Sequence, residues 1–202
     1  EELQRRARSA SQRYEGTLQV IDARGKTTEK RWRVQVLGAF GNSKAVLRFT
    51  APAEVKGVAV LIVNHPERSS DQWMWTPAIA RERRIAIQDR ATRFFGTDFT
   101  FEDLEERDVN QFHYKLLDAE TADGALCWKI ESRPRQTKSS QYASSLIWVR
   151  QEQYTLARLE NFKKDALVRR AQYKEMRRVQ GIWSAGIIEM AVSESPLFVG
   201  AT

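Results

Sequence analysis

With 202 residues, 42% of them hydrophobic, the chain can bury a sizeable core and is expected to form one domain over residues 1–202. No run of about 18 apolar residues occurs, which excludes a transmembrane helix, and the single cysteine, Cys127, excludes an internal disulfide. The formal charge of +7 suits anionic partners and suits a solvated basic surface equally well.

Residues 1–11, EELQRRARSAS, predict a short amphipathic helix with Leu3, Ala7 and Ala10 on one side. From Tyr14 the period changes to two. Gly16, Leu18 and Val20 alternate with polar neighbours, and Gly25 marks a hairpin turn. Trp32, Val34 and Val36 then alternate with Arg31, Arg33 and Gln35, and a third strand covers 44–50. APAEVK connects to the wholly apolar VAVLIV, a run whose two faces both require cover. After residue 108 hairpins resume. Phe112, Tyr114 and Leu116 share one phase, Asp123-Gly124 turns, and Leu126, Trp128 and Ile130 share the next. Cys127, within ALCWKI, is expected to be buried and inert. Strands follow around Leu146 and Trp148, over 154–162, over 167–177 and over 182–192, with a bend at Gly186. About ten or eleven strands joined by hairpins predict one curled antiparallel sheet.

The irregular stretch is 71–105. Trp73, Met74 and Trp75 form a short aromatic strand stopped by Thr76-Pro77. A basic run, Arg81 to Arg84, leads to a loop with an apolar tip, Phe94-Phe95, and a hinge at Gly96. Thr100 and Asp103 have capping-box spacing and should start a short helix. Apolar side chains on such a loop predict a lid over an apolar space.

The residues of enzymatic chemistry are thin. Two histidines, His65 and His113, have no partners at metal-ligand spacing, and neither a nucleophile elbow nor a phosphate or dinucleotide loop occurs. Asp98, Glu102 and Asp103 form the best acidic cluster, which helix capping accounts for. Arg–aromatic pairs occur in RWRV and RERRIAIQDRATRFF, but a stacking platform needs both on one face, and the Trp phase is read as the core phase. No enzymatic activity, cofactor, metal or nucleic-acid partner is therefore expected.

The ordered segments DQWMWTPA (71–78), R-x-R-R-I (81–85) and FFGTDFTFEDL (94–104) resemble the hallmark of the outer-membrane lipoprotein-sorting family, periplasmic proteins with a LolA/LolB-like fold. LRFTAPAEVKGVAVLIV (47–63) and IWSAGIIEM (182–190) are similar to the same family. The resemblance implies an unclosed, half β-barrel whose open mouth is plugged by short helices, with an apolar concave face that holds lipid or lipoprotein acyl chains. It implies a periplasmic location with the leader removed, transient contact with a membrane surface, and a possible transporter partner of the resistance–nodulation–division type in the inner membrane. The chain departs from that pattern at SESPLFVGAT, where the resemblance implies a further clear edge strand.

On this reading the cavity is lined by Leu18, Val20, Trp32, Val34, Val36, Leu47, Phe49, Trp73 and Trp75. The lid and motif residues are Arg81, Arg83, Arg84, Phe94, Phe95, Gly96, Asp98, Phe101 and Asp103. The three arginines either meet an anionic partner or pair with Asp98, Glu102 and Asp103. A carrier that hands its cargo to a membrane-associated partner is the first expectation. A lipid-sensing or interaction domain accessory to an inner-membrane transporter is the second.

Overall fold

A computed structural model describes residues 1–193. The fold is mainly β, antiparallel and unclosed, as expected for a half-barrel, with twelve strands among the described residues. The strands form two six-stranded sheets rather than one continuous sheet, because 86–111 is built of short 3-10 turns and loops where a pairing strand would be needed. The chain divides into two compact units, Ser9–Asp108 and Glu1–Arg8 with Val109–Thr202.

In the first unit the strands run β1 (Ser11–Ile21), β2 (Thr27–Leu37), β3 (Lys44–Ala51), β4 (Ala59–Val63), β5 (Asp71–Thr76) and β6 (Arg81–Ile85), among the described residues each paired only with its sequence neighbours. The β1–β2 turn forms because the Asp22 carboxylate accepts the N–H groups of Arg24 (2.8 Å) and Lys26 (3.0 Å), while Gly25 takes φ +78°. On β1, Gly16 faces Trp32, and a Cβ there would stand 2.6 Å from the indole. The core gathers Phe49, Val58, Val60, Ile62 and Ile85 from the sheet with Phe94 and Phe101 from the segment that follows it.

In the second unit the helix expected at the N-terminus is one short element, α1 (Glu2–Arg6). The strands are β7 (Phe112–Ala122), β8 (Ala125–Pro134), β9 (Ser144–Arg150), β10 (Leu156–Lys163), β11 (Ala166–Val179) and β12 (Ile182–Val192), again in sequence order. Asp123 and Gly124 both have positive φ (50° and 75°), the backbone a two-residue hairpin loop needs to match strand twist. One face is polar and cross-linked, with Arg170 donating to Glu160 (2.8 Å) and Lys174 to Glu189 (2.6 Å). Cys127 is fully buried, and burial pushes its thiol up, away from the reactive thiolate. The further edge strand expected at the C-terminus falls, from residue 194 on, outside the described residues.

Candidate functional site

Direct cross-strand partners lie on the same face of a sheet, so the register tests which expected cavity residues meet. One row of the first sheet is Val34–Leu47–Val60–Met74, and its neighbour is Val36–Ala45–Ile62–Gln72–Ile85. Trp32 pairs with Phe49 on this face, and Leu18 and Val20 share it through β1. Trp73 and Trp75 do not. They pair with Leu61 and Ala59, whose own partners are Val46 and Arg48, so both indoles lie on the opposite face. The inward slots of DQWMWT belong to Gln72 and Met74. Gln72 is almost wholly buried, and its Nε2 donates to the Phe101 carbonyl (3.0 Å) and to Glu105 (2.6 Å).

The face that carries Leu18, Val34, Leu47 and Phe49 is covered. Arg93 and Thr100 form an isolated bridge, and the Phe94 N–H donates to the Phe99 carbonyl at 2.7 Å. That tight loop needs positive φ at Phe95 (48°) and Gly96 (73°), the hinge position read from sequence. It aims Phe94, Phe95 and Phe101 at the sheet, where the rings of Phe94 and Phe95 lie 5.6 and 5.1 Å from Phe49. Asp103 supplies one half of the expected capping box, its carboxylate accepting the Thr100 N–H (2.8 Å) and hydroxyl (2.7 Å), but the helix is a single 3-10 turn, Glu102–Leu104, with Phe101 at its N-cap and no side-chain cap. Phe94, Phe95 and Phe101 therefore occupy the space above the sheet that the sequence reading assigned to cargo.

The two ends of the cover are tied to each other by a buried ion pair. Arg90 donates from Nε to Glu105 at 2.5 Å and from its terminal nitrogen to the other carboxylate oxygen, and both side chains are nearly inaccessible. Burial pushes the Glu105 carboxyl up, against the pull of Arg90. Beside it the Ser43 hydroxyl donates to Glu106 (2.6 Å), whose carboxyl is likewise raised by burial.

The basic run pairs differently from expectation. Arg84 reaches Asp71 at 2.5 Å, and with Arg68 and His65 it holds that carboxyl far below the usual carboxylate range. Arg81 and Arg83 are exposed and enter none of the ion pairs among the described residues. Asp98 is half-buried on the loop.

An open apolar groove lies on the second sheet, at residues that the sequence places on strand faces but in no site. Five successive pairings put one residue of each strand in a single row: Leu116, Ile130, Ile147, Leu159, Ala171 and Met190. At one end Tyr114, Leu116, Trp128, Ile130 and Tyr154 line an open groove of about 380 Å³. Leu116 there is 62% exposed. The Trp128 and Tyr154 rings pack 4.9 Å apart, and Arg6 of α1 covers Tyr154 at 4.0 Å. Alternation in FHYKLL and ALCWKI was the available signal, without any sign of which face would stay uncovered.

A family model described as that of an uncharacterized protein matches residues 41–195. Among solved structures the chain is similar to a domain described as that of an outer membrane lipoprotein-sorting protein from Vibrio parahaemolyticus, with TM-score 0.90 and 22% identity over 96% of this chain and 83% of that one. A DUF1329 family protein from Desulfovibrio piger gives TM-score 0.87 and 25% identity over 95% and 82%. A LolA superfamily protein from Nitrosomonas europaea gives 0.67 and 18% over 96% and 86%. The chain belongs to the family of that model, and its likeness to these solved structures shows a LolA-like fold. No curated protein matches it. Within this LolA-like fold, no helix among the described residues is long and apolar enough to cross a membrane.

Proposed function

We propose that residues 1–202 serve as one lipid-binding domain, a non-enzymatic periplasmic carrier that holds acyl chains of lipid or lipoprotein and hands them to a membrane-associated partner. The observation that carries this reading is the apolar row across the second sheet with its open groove at Tyr114, Leu116 and Trp128. Six residues on adjacent strands span roughly 24 Å at about 4.8 Å per strand. Such a track offers dispersion contacts and no hydrogen bonds, so it suits alkyl chains rather than head groups. Burial of about 14 methylenes is worth roughly 11 kcal/mol gross, less the cost of association. Release into water is then slow, which favours direct hand-off.

The packed first sheet supports a second reading. With Phe94, Phe95 and Phe101 seated on Phe49, that sheet suits a sensor or interaction domain accessory to an inner-membrane transporter of the resistance–nodulation–division type. Native mass spectrometry with organic extraction, on protein purified from a membrane-containing host, separates the two. The carrier reading expects a co-purified lipid or acylated peptide, and loss of fluorescent fatty-acid binding in Leu116→Glu. Protein that is empty and binds no fatty acid leaves the accessory reading.

A further inference from the structure

We infer that the outer face of the first sheet, the one carrying Trp73 and Trp75, docks on an anionic phospholipid surface. The register builds this face without reference to the cargo groove, so the inference does not depend on the carrier reading. One row across all six strands reads Arg13, Gln35, Val46, Leu61, Trp73 and Arg84. Its middle is apolar and each end is an arginine. The next row reads Glu15, Arg33, Arg48, Ala59, Trp75 and Glu82, with Arg33 paired to Glu15 at 2.7 Å.

Leu61 is 37% exposed and Trp75 40%, on β4 and β5, strands with neighbours on both sides. Apolar side chains in the middle of a solvent face are costly unless something covers them. Tryptophan is the residue type that sits at the level of lipid head groups, and arginines near it without an acidic partner, Arg48 foremost since Arg84 is paired with Asp71, gain from a negative bilayer surface. Arg48 is exposed and enters none of the ion pairs among the described residues, so its charge is available to phosphate. A single-stranded nucleic acid is the other polyanion with a use for Trp beside Arg. It is disfavoured because stacking needs an open ring face, and the Arg84 guanidinium already lies over Trp73 at 5.9 Å. The aliphatic centre at Val46 and Leu61 also gives a base nothing to stack on.

The test is co-sedimentation of the full chain with vesicles of phosphatidylcholine mixed with phosphatidylglycerol, against phosphatidylcholine alone and against a single-stranded oligonucleotide in gel shift. Wild type is expected to sediment with the anionic vesicles, less so at high salt. Arg48→Glu and the double variant Leu61→Ser/Trp75→Ser are expected to weaken that binding by roughly tenfold, with unchanged melting and unchanged fatty-acid binding. Leu116→Glu is expected to leave vesicle binding intact, which separates this surface from the cargo groove. Equal sedimentation with neutral vesicles, no sedimentation, undiminished binding by both face variants, or a face-dependent shift of the oligonucleotide in place of the vesicles would each overturn the inference.

Discussion

Phe94 lies nearly parallel to Phe49, with ring centroids 5.6 Å apart and planes inclined by 19°. The first ring comes from a loop, the second from the middle of β3, and both are at least 98% buried. Phe101 and Phe95 meet Phe94 edge-on at 5.6 and 4.9 Å. Aromatic packing thus holds the loop to the sheet alongside the Gln72 hydrogen bonds to Phe101 and Glu105. Phe94→Ala should cost about 3–5 kcal/mol of stability, and Phe94→Leu much less. Urea denaturation checks this, and a change below about 1 kcal/mol would mean that the loop is not part of the core.

Arg90 and Glu105 give a test of the fastening. Arg90→Met strands a buried carboxylate and should cost about 3–5 kcal/mol at neutral pH. The double variant Arg90→Met/Glu105→Gln should recover most of that loss, because the amide still accepts from Gln72. The single variant should also gain stability on acidification as Glu105 takes up a proton, and the double should not. Melting of all three against pH measures the cycle. Additive losses would show the two groups to be uncoupled.

Glu106 fixes a sign in the pH dependence of stability. Burial raises its folded pKa above the unfolded value. Between those two values the folded state binds more protons than the unfolded one, so stability falls as pH rises. Glu106→Gln keeps an acceptor for the Ser43 hydroxyl and carries no charge. It should raise the melting temperature at neutral pH and flatten its decline above the ordinary carboxylate pKa, near 4.3. A variant with an unaltered pH profile would remove Glu106 from the account.

Asp71 works in the opposite sense. Arg68, Arg84 and His65 hold its carboxyl low, so the stability it contributes is present above the unfolded carboxylate pKa and is lost as pH falls. Asp71→Asn should lower the melting temperature at neutral pH and leave it nearly unchanged in strong acid. Equal loss at both would assign the effect to packing.

Gly16 is required by contact rather than by backbone angle. A methyl group at 2.6 Å from Trp32 Cζ2 cannot be accommodated without moving the indole. Gly16→Ala should destabilise by about 1–3 kcal/mol and alter the near-ultraviolet circular dichroism. If the spectrum is unchanged, the indole has room to move that the contact does not suggest.

The mainly β class, the hairpin at Asp22–Gly25, the two-residue turn at Asp123-Gly124, the contact of Asp103 with the Thr100 N–H and the burial of Cys127 were all legible in the sequence. Each rests on a few neighbouring residues whose chemistry has one good solution. The outward face of Trp73 and Trp75 was not legible, because a period of two defines two faces without naming the covered one. In DQWMWT the aromatic phase passes for the inner one, and only the pairing with Leu61 and Ala59 reverses it. The open groove was hidden for a related reason. Its residues alternate like any half-buried strand, and Leu116 stays exposed because nothing among the described residues covers that patch, which local sequence does not encode.

In both sheets strand order equals sequence order, and this has a kinetic consequence. Every ladder closes through a connection to the next strand, so each pairing pays only a short loop's entropy, and relative contact order is low for a β protein. The six-residue apolar row therefore needs no long-range search. Its rungs fall into place one hairpin at a time, and each unit is expected to reach its register faster than a Greek-key sheet of the same size.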